Sequence, residues 1–442
     1  MLHHIIKIIR AERRANLWIW LEMLVVCGLL WFVTDYAVTA LRAWTRPLNY
    51  DIEHVYRITL ATVQKDKDGK WKERSADQGK TMMQTLDLIA AYPGVEAACL
   101  QQWGGHYSSS SSNSSFQLDT VSLINVEDRM VSPDYFRVFR VYGADGSSPE
   151  EMAERFGKLH MNDLQRDYYL SRNALDYVEK VNGEGRESDR RYIGMSDSIN
   201  YNMVSVVDGV QSEKSIRYNQ TLRGLIPDQP KNEAESTGYI SLKPITEEYI
   251  SQNELISYSV YLRVSPEADT PDFKEQFVKR MKAVTKDDTY PVLTMNAVSE
   301  DRAGILADPV RQINNHLAIG FFLLLNIFLG IVGTFWVRTE QRRAEVGIRR
   351  VVGSTNRSVF SLMFGEGIIL MTLAFLPAAV AAWYVMFHTD LCDIKVFPVG
   401  WGRLLLGLGC TYLQMLLMVF LGTFIPVLRA LRVPPTEAIR SE

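Results

Sequence analysis

The chain has 442 residues, 47% of them hydrophobic, and a formal net charge of −3. That near-neutral figure averages two kinds of material, so it singles out no charged partner, and no nucleic-acid partner is expected. The apolar residues are gathered into four runs, Leu17–Leu41, Leu317–Val337, Val359–Phe387 and Leu404–Leu428, each reaching the ~20 residues that cross a bilayer.

Residues 1–16 place Leu2, Ile5, Ile6, Ile8 and Ile9 among basic side chains. They predict an amphipathic helix lying in a membrane interface. The first span, 17–41, is longer than the ~7–15 apolar residues of a signal peptide and carries Glu22 and Asp35, so an uncleaved anchor is expected. From 42 to 312 the pattern is mixed α/β (α+β) and suggests two subdomains. VYRITLATV (55–63) alternates as a strand, Asp68-Gly69 marks a turn, and 79–92 reads as a helix closed by Pro93-Gly94. GVEAACLQQW (94–103) is a second strand, and HYSSSSSNSSF (106–116) reads as a mobile low-complexity loop. Ser132-Pro133 starts a helix carrying Tyr135-Phe136. The charged stretch 147–200 holds a helix or two. Strands follow at 201–210, 237–244 and 258–266, then an amphipathic helix at 270–284 with Phe273, Phe277, Met281 and Val284 on one face. The remaining spans are taken as 313–337, 358–387 and 403–428. A basic connection lies at 338–357, a short loop at 388–402 and a tail at 429–442.

Basic residues near the span ends set the orientation. Lys7, Arg10, Arg13 and Arg14 flank the first span; Arg338, Arg342, Arg343, Arg349, Arg350 and Arg357 lie between the second and third; Arg429, Arg432 and Arg440 follow the fourth. Four spans alternate sides, so all three clusters share one face, read as cytoplasmic. The expected fold is a four-helix membrane protein with a large extracytoplasmic α/β domain inserted between helices 1 and 2.

Catalytic and metal-binding signatures are missing from the sequence. Gly79-Lys80-Thr81 resembles the end of a phosphate loop, but residue 74 is Arg where that motif needs Gly. The four cysteines have no metal or disulfide spacing and read as isolated thiols. No catalytic residue, metal site or cofactor is therefore assigned to this chain. Ionisable residues inside spans are functional candidates. Glu22 and Asp35 read as interfacial. Glu366 lies near the start of the third span and could pair with an arginine of the preceding element. Asn326 could bond to another span or another copy, and Pro377 should kink the third span.

The connection RRAEVGIRRVVGSTNRS (342–358) carries more than a turn needs. The second span should continue some turns beyond Val337. Arg342/Arg343, Arg349/Arg350 and Arg357 recur at a spacing that places them on one helical face. Gly353 suits a helix C-terminus, and Ser354 or Thr355 can cap the next helix. Such a basic element could simply meet anionic lipid. Glu345 among the cations, the apolar positions and the glycines favour docking of a partner.

RRAEVGIRRVVGSTNRSVFSLMFGEG resembles the signature of the FtsX-like/MacB-like permeases of ABC transporters. Glu345, Val346, Gly347, Ile348, Arg349, Arg350, Gly353 and Ser354 match its core, and Glu366 its later Glu. Pro426 and ALRVPPTEAIRSE (430–442) resemble the family's C-terminal end, and VSPDYFRVF its periplasmic core domain. The resemblance implies a coupling helix in which Arg342, Arg343, Glu345, Gly347, Arg349, Arg350 and Gly353 meet an ABC ATPase subunit, with Glu366 in support. ATP and Mg would be bound by that separate chain, since the nucleotide-binding domain fused to MacB is missing here. It further implies a homodimer, or a pair with a similar permease, in the inner membrane with both termini cytoplasmic. ATP-driven mechanotransmission would serve export or efflux from the periplasm, and a periplasmic adaptor and an outer-membrane channel are possible further partners. The alternatives are regulation of an extracytoplasmic enzyme, as FtsX-like proteins perform, or a membrane receptor or scaffold that needs no ATPase.

Overall fold

The computed structural model describes residues 13–61, 77–162, 164–184, 189–207, 210–252, 258–285, 290–389 and 399–432. Most of the expected interfacial helix, the turn at 68–69, much of the 388–402 loop with Cys392 and the tail from 433 lie outside them. The chain divides into two compact units, one of residues 1–45 with 308–442 and the other of residues 46–307.

In chain order the elements are α1 (Arg13–Thr45), β1 (Val55–Leu60), α2 (Gln78–Ala90), β2 (Val95–Gln102), β3 (Asn113–Leu118), β4 (Val121–Val131), α3 (Tyr135–Val138), α4 (Pro149–Phe156), β5 (Gln165–Ser171), α5 (Arg172–Val181) and α6 (Asp189–Tyr192). Then come β6 (Ser196–Val207), β7 (Val210–Ile226), β8 (Ile240–Pro244), α7 (Glu247–Gln252), β9 (Tyr258–Val264), α8 (Phe273–Val284), β10 (Val292–Ala297), α9 (Val298–Gln341), α10 (Arg343–Val351), α11 (Asn356–His388) and α12 (Trp401–Arg432).

The 46–307 unit is built on one mixed sheet in the order β10-β1-β9-β2-β4-β8-β5-β7-β6, with β3 paired to β4. Most pairs are antiparallel; β4–β8 and β5–β7 are parallel. Two apolar clusters share this sheet. One gathers Met82, Leu86 and Ile89 of α2 and Phe273, Phe277 and Met281 of α8 against Ile58, Leu100, Val260 and Leu262. The other packs Ala174, Leu175 and Val178 of α5 against Leu123, Tyr168, Leu170 and Leu222. Val284, expected on the buried face of α8, is 40% exposed, because the helix ends there. α4 starts where the sequence offers Ser148-Pro149-Glu150-Glu151: Ser148 accepts from the Glu151 amide and the Glu151 carboxylate accepts from the Ser148 amide. The serine-rich run is only partly loop. Its end, from Asn113, pairs with β4, and Leu118 is buried in the second cluster.

Between the two clusters lies a buried polar knot that sequence periodicity could not reveal. Tyr135 Oη bonds His106 Nε2 at 2.9 Å and donates to Gln229 Oε1 at 2.8 Å. His106 stacks on Tyr50 with ring centroids 3.6 Å apart. Arg129 donates to Glu127 and, at 3.5 Å, to the Gln229 carbonyl. Burial, reinforced by the Arg129 charge, holds the His106 imidazole well below its ordinary pKa and therefore neutral. Burial also pushes the Tyr135 phenol up to about 12. Trp103 and Tyr107, on the loop carrying His106, have φ of 55° and 53°, conformations that side chains rarely adopt. A second buried cation, Arg263 of β9, donates to the carbonyls of Val138, Glu53 and Asp51 at 2.7–3.0 Å and so ties the end of α3 and the segment before β1 to the sheet.

In the other unit, α1, α9, α11 and α12 are long and apolar enough to cross a membrane. α1, α11 and α12 pack on one another around Met23, Cys27, Leu30, Leu370, Met371, Ala374, Met415 and Val419. Four phenylalanines interlock α11 and α12: Phe360–Phe364 and Phe420–Phe424 stack one turn apart, and the two pairs meet edge to face at 5.6–5.9 Å. Asp35 is not interfacial, as expected from sequence, but fully enclosed. Arg403 of α12 donates to both its oxygens, at 3.0 and 2.5 Å, and the two side chains are 0% and 4% exposed. A charge at that depth requires such a partner. Asn326 donates to the Phe322 carbonyl of its own helix at 2.8 Å, rather than to another span. Pro377 lies inside α11.

Candidate functional site

The second span does not run on unbroken through the basic connection. α9 ends at Gln341, Arg342 forms a turn, and α10 begins at Arg343. The break falls where two arginines one turn apart are both drawn onto Glu366 of α11. Arg342 Nη1 donates to Glu366 Oε2 at 2.7 Å, and Arg338 Nη2 donates to Glu366 Oε1 and, at 2.5 Å, to Asn16 Oδ1 of α1. Each oxygen of the carboxylate thus takes one guanidinium. The side chains are 5%, 10% and 12% exposed for Glu366, Arg342 and Arg338, so they are screened from water and the attraction is correspondingly strong. Thr339, Met363 and Thr423 complete the walls.

α10 has nine residues and packs on α11 and α12. Gly347 is buried, whereas Ile348, Val351 and Val352 are 54%, 63% and 82% exposed. Their spacing puts these three apolar side chains on one stripe turned away from the rest of the unit. Beside the stripe Glu345 and Arg349 form an i,i+4 pair, with both Arg349 Nε and Nη2 on Oε1 at 3.1 and 2.7 Å. The helix is closed by Gly353 at φ +99°, with the Ser354 amide reaching back to the Arg349 carbonyl at 2.9 Å. A residue with a Cβ is strained there, which explains the glycine. Thr355 then caps α11 by accepting from the Ser358 amide at 3.3 Å.

Of the residues singled out in the sequence, Glu345, Gly347, Arg349 and Gly353 sit together on α10 and its closing turn. Glu366 and Arg342 sit together beneath it. Arg342 is therefore engaged inside the chain and not offered on its surface. The side chains of Arg343 and Arg350 lie outside the described residues. The expected single arginine face does not form, because the turns at Arg342 and Gly353 divide residues 338–357 among three helices. Arg338 and Asn16 were missed. The only local signal was the four-residue spacing of Arg338 and Arg342; nothing in sequence points to Asn16. Among the described residues no group of three or more His, Cys, Asp or Glu side chains could hold a metal.

Residues 317–435 match the family model of the FtsX-like permease C-terminal domain. No curated protein matches the chain significantly. Two solved structures overlap with it loosely. One is the periplasmic region of MacB from Actinobacillus actinomycetemcomitans, at 10% identity and a TM-score of 0.29, covering 57% of this chain and 93% of that one. The other is a domain of a permease-like protein from Porphyromonas gingivalis, at 14% identity and a TM-score of 0.30, with the same coverage. The matched segment contains α10, Arg338, Arg342 and Glu366, most of α9, and α11 and α12, so this part of the chain is similar to the C-terminal domain of FtsX-like permeases.

Proposed function

We propose that this chain is the membrane subunit of an ABC transporter and that α10 is where a separate ATPase subunit docks. The observation that carries this reading is the stripe of Ile348, Val351 and Val352, exposed on a short helix whose Gly347 is buried. Exposed apolar side chains grouped on one helix face are characteristic of a covered surface. The Glu345–Arg349 pair beside them supplies charge for orientation at the rim. Glu366, by holding Arg338 and Arg342, fixes the angle at which α10 leaves α9.

In this reading the basic face is cytoplasmic, the 46–307 unit is periplasmic, and the chain works as a dimer in the inner membrane. α9 supports the pairing. Only 11% of its most apolar window is buried, against 28–39% for the other three spans, which leaves room for a second copy. ATP binding would draw the two ATPases together and move α10 and α9 as a unit between two arrangements. The driven process is export or efflux of a substrate from the periplasm.

The test is to purify the tagged full chain in mild detergent and identify the proteins that accompany it. An ABC ATPase subunit should copurify with the native chain and be lost with Glu345→Arg and with Val352→Asp, while both variants insert in the membrane normally. Undiminished recovery of the ATPase with both variants would remove α10 from the docking surface.

A further inference from the structure

Among the described residues the ten-stranded sheet ends at β10, which there pairs with β1 alone. Four residues of β10, Thr294 to Ala297, keep a regular antiparallel register with Thr59 to Tyr56. Before them the register slips by one residue, so that Leu293 has no partner on β1, and the Val292 amide is taken up by Thr285 Oγ1 at 3.3 Å. The slip is the sort of bulge that closes off an edge. Among the described residues it leaves the stretch 294–297 as a strand edge with the pairing capacity of one side unused.

Along that edge runs a groove of about 650 Å³, with α8 as its other wall. The side chains bordering it are unlike an edge protected against pairing, where charge sits on the strand itself. Here the strand offers Leu293, 45% exposed, with Met295 and, from α8, Val278 as apolar lining. The charges stand on the helix opposite: Lys274, Lys279 and Lys282, against a single Glu275. Lys274 is engaged with Glu300 at 3.1 Å, which leaves Lys279 and Lys282 exposed on the rim. A groove between a helix and a sheet edge is the geometry in which an extended peptide adds as a further strand, its backbone held by the edge and alternate side chains by the walls.

We infer that the groove between α8 and β10 binds an extended acidic segment of a partner protein, which adds to β10 as an eleventh strand with its carboxylates towards Lys279 and Lys282. The backbone ladder gives the direction and the apolar floor a place for one side chain in two. The lysines select acidic over basic segments. This site is separate from α10 and does not depend on the ATPase reading.

The experiment uses the full chain in detergent and a fluorescent eight-residue peptide that alternates glutamate and valine. Its controls are the same peptide with lysine for glutamate and one with a central proline. The glutamate peptide should bind and raise hydrogen-exchange protection at the amides of 294–297. The lysine and proline peptides should bind at least about tenfold more weakly, as should the glutamate peptide to Lys279→Glu/Lys282→Glu. Three results would overturn the inference: no binding of the glutamate peptide, binding indifferent to the charge reversal, or binding that leaves the 294–297 amides unprotected. Formation of a disulfide-linked dimer by Thr294→Cys in the native membrane would also overturn it, in favour of edge pairing between two copies.

Discussion

α9 and the other three apolar helices of its unit are held by different proportions of apolar and polar contact. α1, α11 and α12 bury a continuous apolar seam, with the Asp35–Arg403 pair closed inside it. α9 buries only Ile331 in that seam, with Leu324, Ile327 and Phe328 partly buried against it. To these partly buried contacts it adds polar ones: Thr334 donates to Glu22 Oε2 at 3.1 Å, and Arg338 reaches Asn16 and Glu366. Apolar packing between stiff helices fades only when the helices part as a whole, whereas a few directional bonds can be exchanged one by one. The contrast describes a three-helix frame with a fourth helix attached to it more lightly, and α10 links the end of that fourth helix to α11 while packing on α11 and α12. In the proposed mechanism the fourth helix is the part that would move against the frame.

The largest effect is expected at the charge pair inside the frame. Asp35→Ala leaves Arg403 enclosed without its carboxylate, at a cost of about 3–5 kcal/mol. It should lower the midpoint of denaturant unfolding in detergent for the whole apolar unit. Glu366→Ala removes the seat of two guanidiniums and belongs at the lower end of the same range. Its signature should differ: faster hydrogen exchange confined to the end of α9 and to α10, with the three-helix frame unchanged. Equal loosening of all four helices by both variants would erase the distinction between frame and fastened helix.

A smaller change should sharpen it. Gly320 of α9 faces Val33 of α1 so closely that a Cβ would lie 2.7 Å from the valine Cγ1. Val33 is β-branched and cannot swing clear. Gly320→Ala should therefore cost about 1–3 kcal/mol and push α9 away from α1. A distance between labels on those two helices measures the displacement.

The 46–307 unit offers a contrast in pH. His106 is held neutral when folded and takes a proton near pH 6.5 when unfolded, so the unfolded state binds more protons as pH falls. Stability present above about pH 6.5 is lost below it, by up to ~1.4 kcal/mol per pH unit for one proton. Hydrogen exchange around Tyr50 and Tyr135 in the full chain should accelerate between pH 6.5 and 5. In His106→Gln that acceleration should disappear. The least effect is expected from Thr355→Ala, which removes the α11 cap for about 1 kcal/mol and should fray only the first turn of that helix.

Much of this was legible in local pattern. The periodicities of 79–92 and 270–284, the alternation of 55–63 and the apolar runs of 94–103 and 258–266 mark elements that the structure contains: the helices bury one face on the sheet, and β2 and β9 are buried on nearly every residue. Gly353 and Thr355 announced the end of one helix and the start of the next through backbone requirements that depend on no distant contact. The pairing of Glu366 with an arginine could be anticipated from its depth in an apolar run. What sequence could not supply were matches across long separations. Asp35 and Arg403 are 368 residues apart, and each alone reads as a charge at the edge of a span. The knot of His106, Arg129, Tyr135 and Gln229 joins four segments with no common period. β3 was hidden in a serine run because its strand state comes from pairing with β4 rather than from composition. The turn at Arg342 has no breaker residue; it is imposed by a carboxylate on another helix.

The most direct test of the account is to place a photo-crosslinking amino acid at Val352, the most exposed apolar position beside α10, in the native membrane. The account predicts an adduct with a separate ATP-binding cassette subunit, and its loss when Glu366→Ala is added. Adducts with lipid alone at Val352, undisturbed by Glu366→Ala, would contradict it.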